Sequence, residues 1–203
     1  MKKGITLPLT FVSLMWIIHT VQFFYLLDLS ELGIHPKDIH TISGIFTAPL
    51  IHGSWDHLLS NTLPLMILGI ILFVSYEKLA LRVWILNYLL TGLMVWMFAR
   101  GNSYHIGASG IIYGLASFLL FSGFFRMDIK AIAIASGVAI FYGGMVWGVL
   151  PLQSGVSWES HLFGGFTGFL LAFIYRNKYK DSLLQQHENE VVERRTFDDF
   201  LNS

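Results

Sequence analysis

Apolar residues gather in six long runs along the chain, at about 7–27, 57–75, 79–99, 107–125, 131–150 and 159–175. Each approaches the ~20 residues needed to cross the hydrocarbon core of a bilayer as a helix. The pattern predicts six transmembrane helices. The break between the first two runs is long, residues 28–56, and is punctuated by Gly33, Pro36, Gly44, Pro49 and Gly53. It is rich in Ile, Leu and Phe for a loop, so it is expected to lie partly in the membrane interface. Glu77 and Lys78 mark a short break, Arg126 to Lys130 a tight turn, and Pro151 to Trp158 the approach to the last run. The first run follows Met1-Lys2-Lys3 but is long for a signal-peptide core and lacks a small-x-small cleavage site. It reads as a retained helix.

Composition narrows the class. At 54% hydrophobic residues and a mean hydropathy of +0.60, the chain is too apolar for an ordinary soluble domain. Thirteen basic residues balance thirteen acidic ones, so no basic surface calls for nucleic acid. With no cysteine, neither a disulfide framework nor a thiolate metal site is available. If the N-terminus is cytoplasmic, the inner segments hold Lys2, Lys3, Lys78, Arg82, Arg126, Lys130, Arg176, Lys178, Lys180, Arg194 and Arg195, and the outer ones only Lys37 and Arg100. That bias predicts both termini inside. Residues 1–176 read as one membrane domain and 177–203 as a charged, solvated cytoplasmic tail.

Polar residues that would be costly in lipid fall at matching ends of three runs. His57 and Asn61 open the second, Ser109 the fourth and His161 the sixth. These three runs all cross from outside to inside, so the four residues share one layer near the outer surface. His57 and Asn61 are four apart and lie on one helical face. Both can donate hydrogen bonds to a developing oxyanion. On the sixth run His161, Gly164, Gly165 and Gly168 share a face by spacing, and on the fourth Gly110 and Gly114 lie beside Ser109. Small-residue stripes let helix backbones approach closely in lipid, as a Ser–His hydrogen bond demands. Taken alone, the glycines read more readily as packing and Ser109 as helix glue; their common phase favours a site. Tyr113, one turn after Ser109, either packs in the core or stacks on His161. His52 reads as interfacial, and His19 as structural or cavity-facing. Asp56 and Glu159 stand at helix entrances, where the helix dipole favours negative charge. Read as unburied, they offer neither a metal site nor a third, orienting carboxylate, so no metal and no cofactor is expected.

These motifs resemble the rhomboid intramembrane serine proteases. Gly107-Ala108-Ser109-Gly110 is similar to their Gly-x-Ser-Gly motif at the head of the fourth helix, with Tyr113 where the family often has a tyrosine. The stretch from His161 to Gly168 resembles their His-x-x-Gly-x-x-x-Gly pattern, and His52 to Asn61 resembles their second-helix entrance. The resemblance implies an all-α, six-helix bundle of minimal bacterial type, in a bacterial cytoplasmic membrane. It implies Ser109 as nucleophile and His161 as general base, with His57, Asn61 and the Ser109 N–H as the oxyanion hole. Its expected partners are the lipid bilayer and transmembrane protein substrates, cut near the outer face. The family's common Trp-Arg pair is absent from the first outer loop, because residues 28–56 contain no Arg. Two other readings stand beside it. One is a non-catalytic rhomboid-like protein that binds membrane clients. The other is an unrelated six-helix transporter, disfavoured because the polar residues sit at one end of the spans and not at the midplane.

Overall fold

The computed structural model describes residues 2–101, 103–152 and 157–177, and it is an all-α bundle. Its long helices are α1 (Lys2–Tyr25), α3 (Trp55–Ser75), α4 (Glu77–Phe98), α5 (Ser109–Arg126), α6 (Ile129–Tyr142) and α7 (158–177), with a four-residue α2 (Gly44–Thr47) inside the first long loop. Five of the described helical segments are long and apolar enough to cross a membrane. The charged tail lies outside the described residues from 178 onward.

Helix starts follow local chemistry. Ser54 accepts a hydrogen bond from the His57 N–H and caps α3, with Asp56 in the first turn where the helix dipole favours it. Asp128 caps α6 by accepting from the Ala131 N–H. Met127, at φ 57°, ends α5 in the left-handed conformation, and Asp128 also pairs with Arg126 at 2.7 Å. The fifth apolar run departs from its predicted form. Its α-helix stops at Tyr142, and Gly143–Val149 continues as a 3-10 helix. The glycine pair Gly143-Gly144 weakens the α-helix there.

The core gathers Leu58, Leu65, Leu68 and Leu72 of α3, Leu115, Phe118 and Leu119 of α5, and Met15 and Ala80 from α1 and α4, all at most 1% exposed. Large apolar residues such as Leu63, Ile67, Leu81, Ile140 and Phe141 stay exposed around the outside, as a lipid-facing belt requires. Lipid is as apolar as leucine, so burial alone does not hold such helices together; close packing and interhelical hydrogen bonds do. Trp16 Nε1 donates to Thr62 Oγ1 between α1 and α3 at 3.0 Å. Asn87 Nδ2 of α4 donates to the Ile111 carbonyl of α5 at 2.9 Å, filling the space above Gly114. Ser117 of α5 donates to the Gly165 carbonyl of α7 at 2.6 Å.

The α5–α7 seam is built on backbone. A Cβ added to Gly164 would lie 2.0 Å from the Gly110 carbonyl oxygen, and one on Gly168 would lie 2.1 Å from that of Gly114. Gly165 differs from the predicted face: a Cβ there would meet nothing within 4 Å. At 100° per residue, the i+3 and i+7 positions face α5 while i+4 turns away. Gly164→Leu and Gly168→Leu should therefore destabilise the fold, while Gly165→Leu should be tolerated. Thermal unfolding of the purified variants in detergent checks this; equal losses at all three positions would contradict the seam.

Candidate active site

The entrances of α3, α5 and α7 surround an open cavity of about 1110 Å³, lined by His57, Asn61, Ser109, Tyr113 and His161 among others. The three helices that topology alone places at one depth are thus neighbours.

Ser109 is the first residue of α5. The turn before it requires Gly107, whose φ of +103° lies in the left-handed region. The imidazole of His57 also lies against that glycine, 2.6 Å from where a Cβ would stand. The Gly107 N–H is tied to the Ala48 carbonyl at 2.8 Å, which fixes the turn to the first long loop.

His161 Nε2 lies 2.8 Å from Ser109 Oγ, and His161 Nδ1 lies 2.8 Å from the Gly148 carbonyl oxygen. A carbonyl can only accept, so Nδ1 carries the proton and donates it. Nε2 is then the unprotonated nitrogen and accepts from the Ser109 hydroxyl. Tyr113 stacks on the imidazole with ring centroids 4.1 Å apart and planes at 5°. Its hydroxyl donates to the Met145 carbonyl at 2.7 Å. Both carbonyls belong to the 3-10 segment Gly143–Val149, which sequence reasoning did not anticipate. Its only advance signs were Gly143, Gly144 and Gly148, which look like ordinary packing glycines.

Asn61 is 3% exposed, and its Nδ2 donates to the His57 carbonyl at 2.7 Å. Asn61 and His57 therefore sit together on the cavity wall formed by α3, as their spacing predicts. Pro64, one turn further on, lines the same wall and has no N–H to offer the carbonyl of Ser60.

Two predicted environments are corrected. His52 is fully buried and not interfacial. Burial first, and then the neighbouring His57, pushes its pKa down to about 3 against an opposing contribution from the Leu50 backbone. His52 is therefore a neutral ring packed edge-on to His57 at 4.9 Å. His19 is structural, one of its two readings: it is buried, hydrogen-bonded to the His52 carbonyl at 3.0 Å and packed edge-on to Trp55 at 4.5 Å. Glu159 is only 4% exposed, although its place at a helix entrance suggested solvent. Its carboxylate meets Arg100 Nε at 2.5 Å.

A family model described as Rhomboid domain matches residues 40–178. An uncharacterized protein of Mycobacterium tuberculosis is 35% identical over 181 residues, covering 84% of this chain and 75% of its own. An uncharacterized protein of Mycobacterium leprae is 33% identical over 187 residues, covering 86% and 72%. RHOMBOID-like protein 4 of Arabidopsis thaliana is 35% identical over 131 residues, covering 61% of this chain and 32% of that protein.

The geometry makes Gly148 a sensitive position. A Cβ there would fall 1.9 Å from the Tyr113 hydroxyl and 3.1 Å from His161 Nδ1. Gly148→Ala should displace both rings and weaken the Ser109–His161 hydrogen bond. Nitrogen NMR of the histidines checks this. The wild type should show His161 as the Nδ1–H tautomer, and Gly148→Ala should show a mixture. An Nε2–H tautomer in the wild type would overturn the assignment.

Proposed function

The chain belongs to the rhomboid family, and from that membership we propose that it is a serine endopeptidase that cuts transmembrane segments of other proteins. The observation that carries the reading is the 2.8 Å Ser109–His161 hydrogen bond opening onto a cavity within a multi-pass membrane bundle. Peptide hydrolysis needs water, and an open cavity admits it to residues that lipid would otherwise surround.

In the proposed reaction the substrate carbonyl carbon is attacked by Ser109 Oγ as His161 Nε2 takes the hydroxyl proton. The carbonyl electron pair moves onto oxygen and forms the tetrahedral oxyanion. The Ser109 N–H, free at the first turn of α5, would stabilise it together with His57 and Asn61. Asn61 already donates to the His57 carbonyl, so it would serve the oxyanion with its second N–H or by a small rotation. Collapse of the intermediate breaks the C–N bond, and the proton on His161 passes to the leaving amine. Water then attacks the acyl-serine, gives its proton to His161 and restores Ser109.

Gly148 and Tyr113 would do the orienting that a carboxylate does in a triad. The Gly148 carbonyl selects the tautomer, and the stacked Tyr113 ring fixes the imidazole plane. Presence of both Ser109 and His161 in one hydrogen bond favours catalysis over a client-binding role without chemistry. A bacterial cytoplasmic membrane with both termini inside is part of the same proposal, supported by the excess of Lys and Arg in the inner segments.

Ser109→Ala and His161→Ala should each abolish cleavage of a transmembrane substrate, at a cost of several orders of magnitude, because residues acting as a unit are non-additive. Both should still insert and fold. Near wild-type proteolysis by purified Ser109→Ala protein would refute the assignment. Asn61→Ala should slow turnover by roughly 10²–10³, the usual contribution of one side-chain donor to an oxyanion. A change in KM with kcat intact would instead make Asn61 a substrate-positioning residue.

A further inference from the structure

The seam between α5 and α7 has a weakness that follows from its own regularity. Gly164 meets Gly110 and Gly168 meets Gly114, so the same contact repeats after four residues on both helices. A slip of one repeat would set Gly164 against Gly114, or Gly168 against Gly110, and would preserve one of the two close contacts. The displacement is about 6 Å at 1.5 Å per residue. That would carry His161 out of reach of Ser109. The glycines set how near the helices come; they discriminate weakly among axial registers.

A polar cluster at the mouth of the seam supplies what the glycines lack. One side of it is the segment leading into Ser109, the other the segment leading into His161. Arg100 Nε meets Glu159 Oε1 at 2.5 Å, and the Arg100 guanidinium lies 5.3 Å from the centre of the Trp158 ring. His105 Nδ1 lies 2.5 Å from Ser157 Oγ. That hydroxyl in turn accepts from the Ser160 N–H at 3.3 Å, in the first turn of α7. His105 is itself held by paired backbone hydrogen bonds with Ile34, at 3.0 and 2.8 Å. These bonds are directional and specific to one axial position. The Glu159 side chain is 6% exposed against 60% for Arg100, so a slip would strand a buried carboxylate without its cation.

We infer that Arg100 and Glu159, together with the His105–Ser157 bond, form a register clasp that keeps α7 from slipping along α5 and so holds His161 opposite Ser109. They are positioning residues and touch no reacting atom. The functional consequence rests on the proteolytic reading; the register itself does not.

The experiment uses the purified full chain in detergent, with Glu159→Gln, Arg100→Gln, the double variant and the conservative Arg100→Lys. The first measurement is the second-order rate of labelling by a fluorophosphonate. The second is the distance between spin labels at Phe124→Cys on α5 and Ile174→Cys on α7, both exposed positions in a chain with no other cysteine. Melting temperature is followed throughout. Each single variant should label roughly 10²-fold more slowly, the scale of a misplaced reacting group. The double should be no worse than either single, and Arg100→Lys should recover most of the rate. The spin-label distribution should gain a second distance in the slow variants. Labelling within about twofold of wild type, in the face of that expectation, would overturn the clasp. So would slower labelling with a lowered melting temperature and a single unchanged distance, which marks a contribution to stability alone. Should Glu159→Gln fail to fold, Arg100→Gln alters a mostly exposed side chain and carries the test. Wild-type protein that neither labels nor cleaves would refute the proteolytic reading, while the spin-label distances would still decide the clasp.

Discussion

The contact between the backbones of α5 and α7 is the constraint on which the site depends. Two carbonyl oxygens of α5 occupy the space that side chains at Gly164 and Gly168 would fill. In lipid this closeness is the source of adhesion, because packing and polar contact replace the hydrophobic drive available in water. The same closeness lets a short serine side chain and a short imidazole bridge two helices. Asn87, filling the space above Gly114 from α4, presses α5 from its other side.

A second constraint comes from the fifth span. The fifth span gives up α-helical hydrogen bonding at Gly143, and the tighter 3-10 turn directs the Met145 and Gly148 carbonyls toward Tyr113 and His161. An intact α-helix would have used the Met145 carbonyl internally, since only its last four carbonyls stay unpaired. Irregular backbone at such depth is tolerated where it lines a cavity, and Met145 is part of the cavity lining. The order of the site is therefore obtained from a change of helix type in one span, placed beside the one ring whose tautomer matters.

Local patterns in the sequence carried the spans, the common depth of His57, Asn61, Ser109 and His161, and the glycine stripes, because hydropathy and helical spacing are properties of neighbouring residues. Three features escaped for reasons of geometry. Gly164 and Gly165 are adjacent, and only the packed structure decides which one faces α5. The burial of Glu159 depends on Arg100, 59 residues away, so no local pattern marks it as anything but a first-turn acid. The shift from α to 3-10 geometry within an unbroken apolar run leaves hydropathy unchanged. His52 is a fourth case: a histidine in this loop reads as interfacial, yet the loop folds back with its own short helices and buries the ring.

Orientation of His161 by a peptide carbonyl has an electrical consequence. The Gly148 oxygen presents a fixed dipole whose strength does not vary with proton concentration, unlike the carboxylate that performs this duty in a three-residue relay. In the proposed reaction, the positive imidazole formed during acylation is met by partial charge from the main chain and not by a full counter-ion. The acid limit of such an enzyme would then carry no contribution from an orienting carboxylate, and His57 on the same cavity wall is the ring to which His161 would couple.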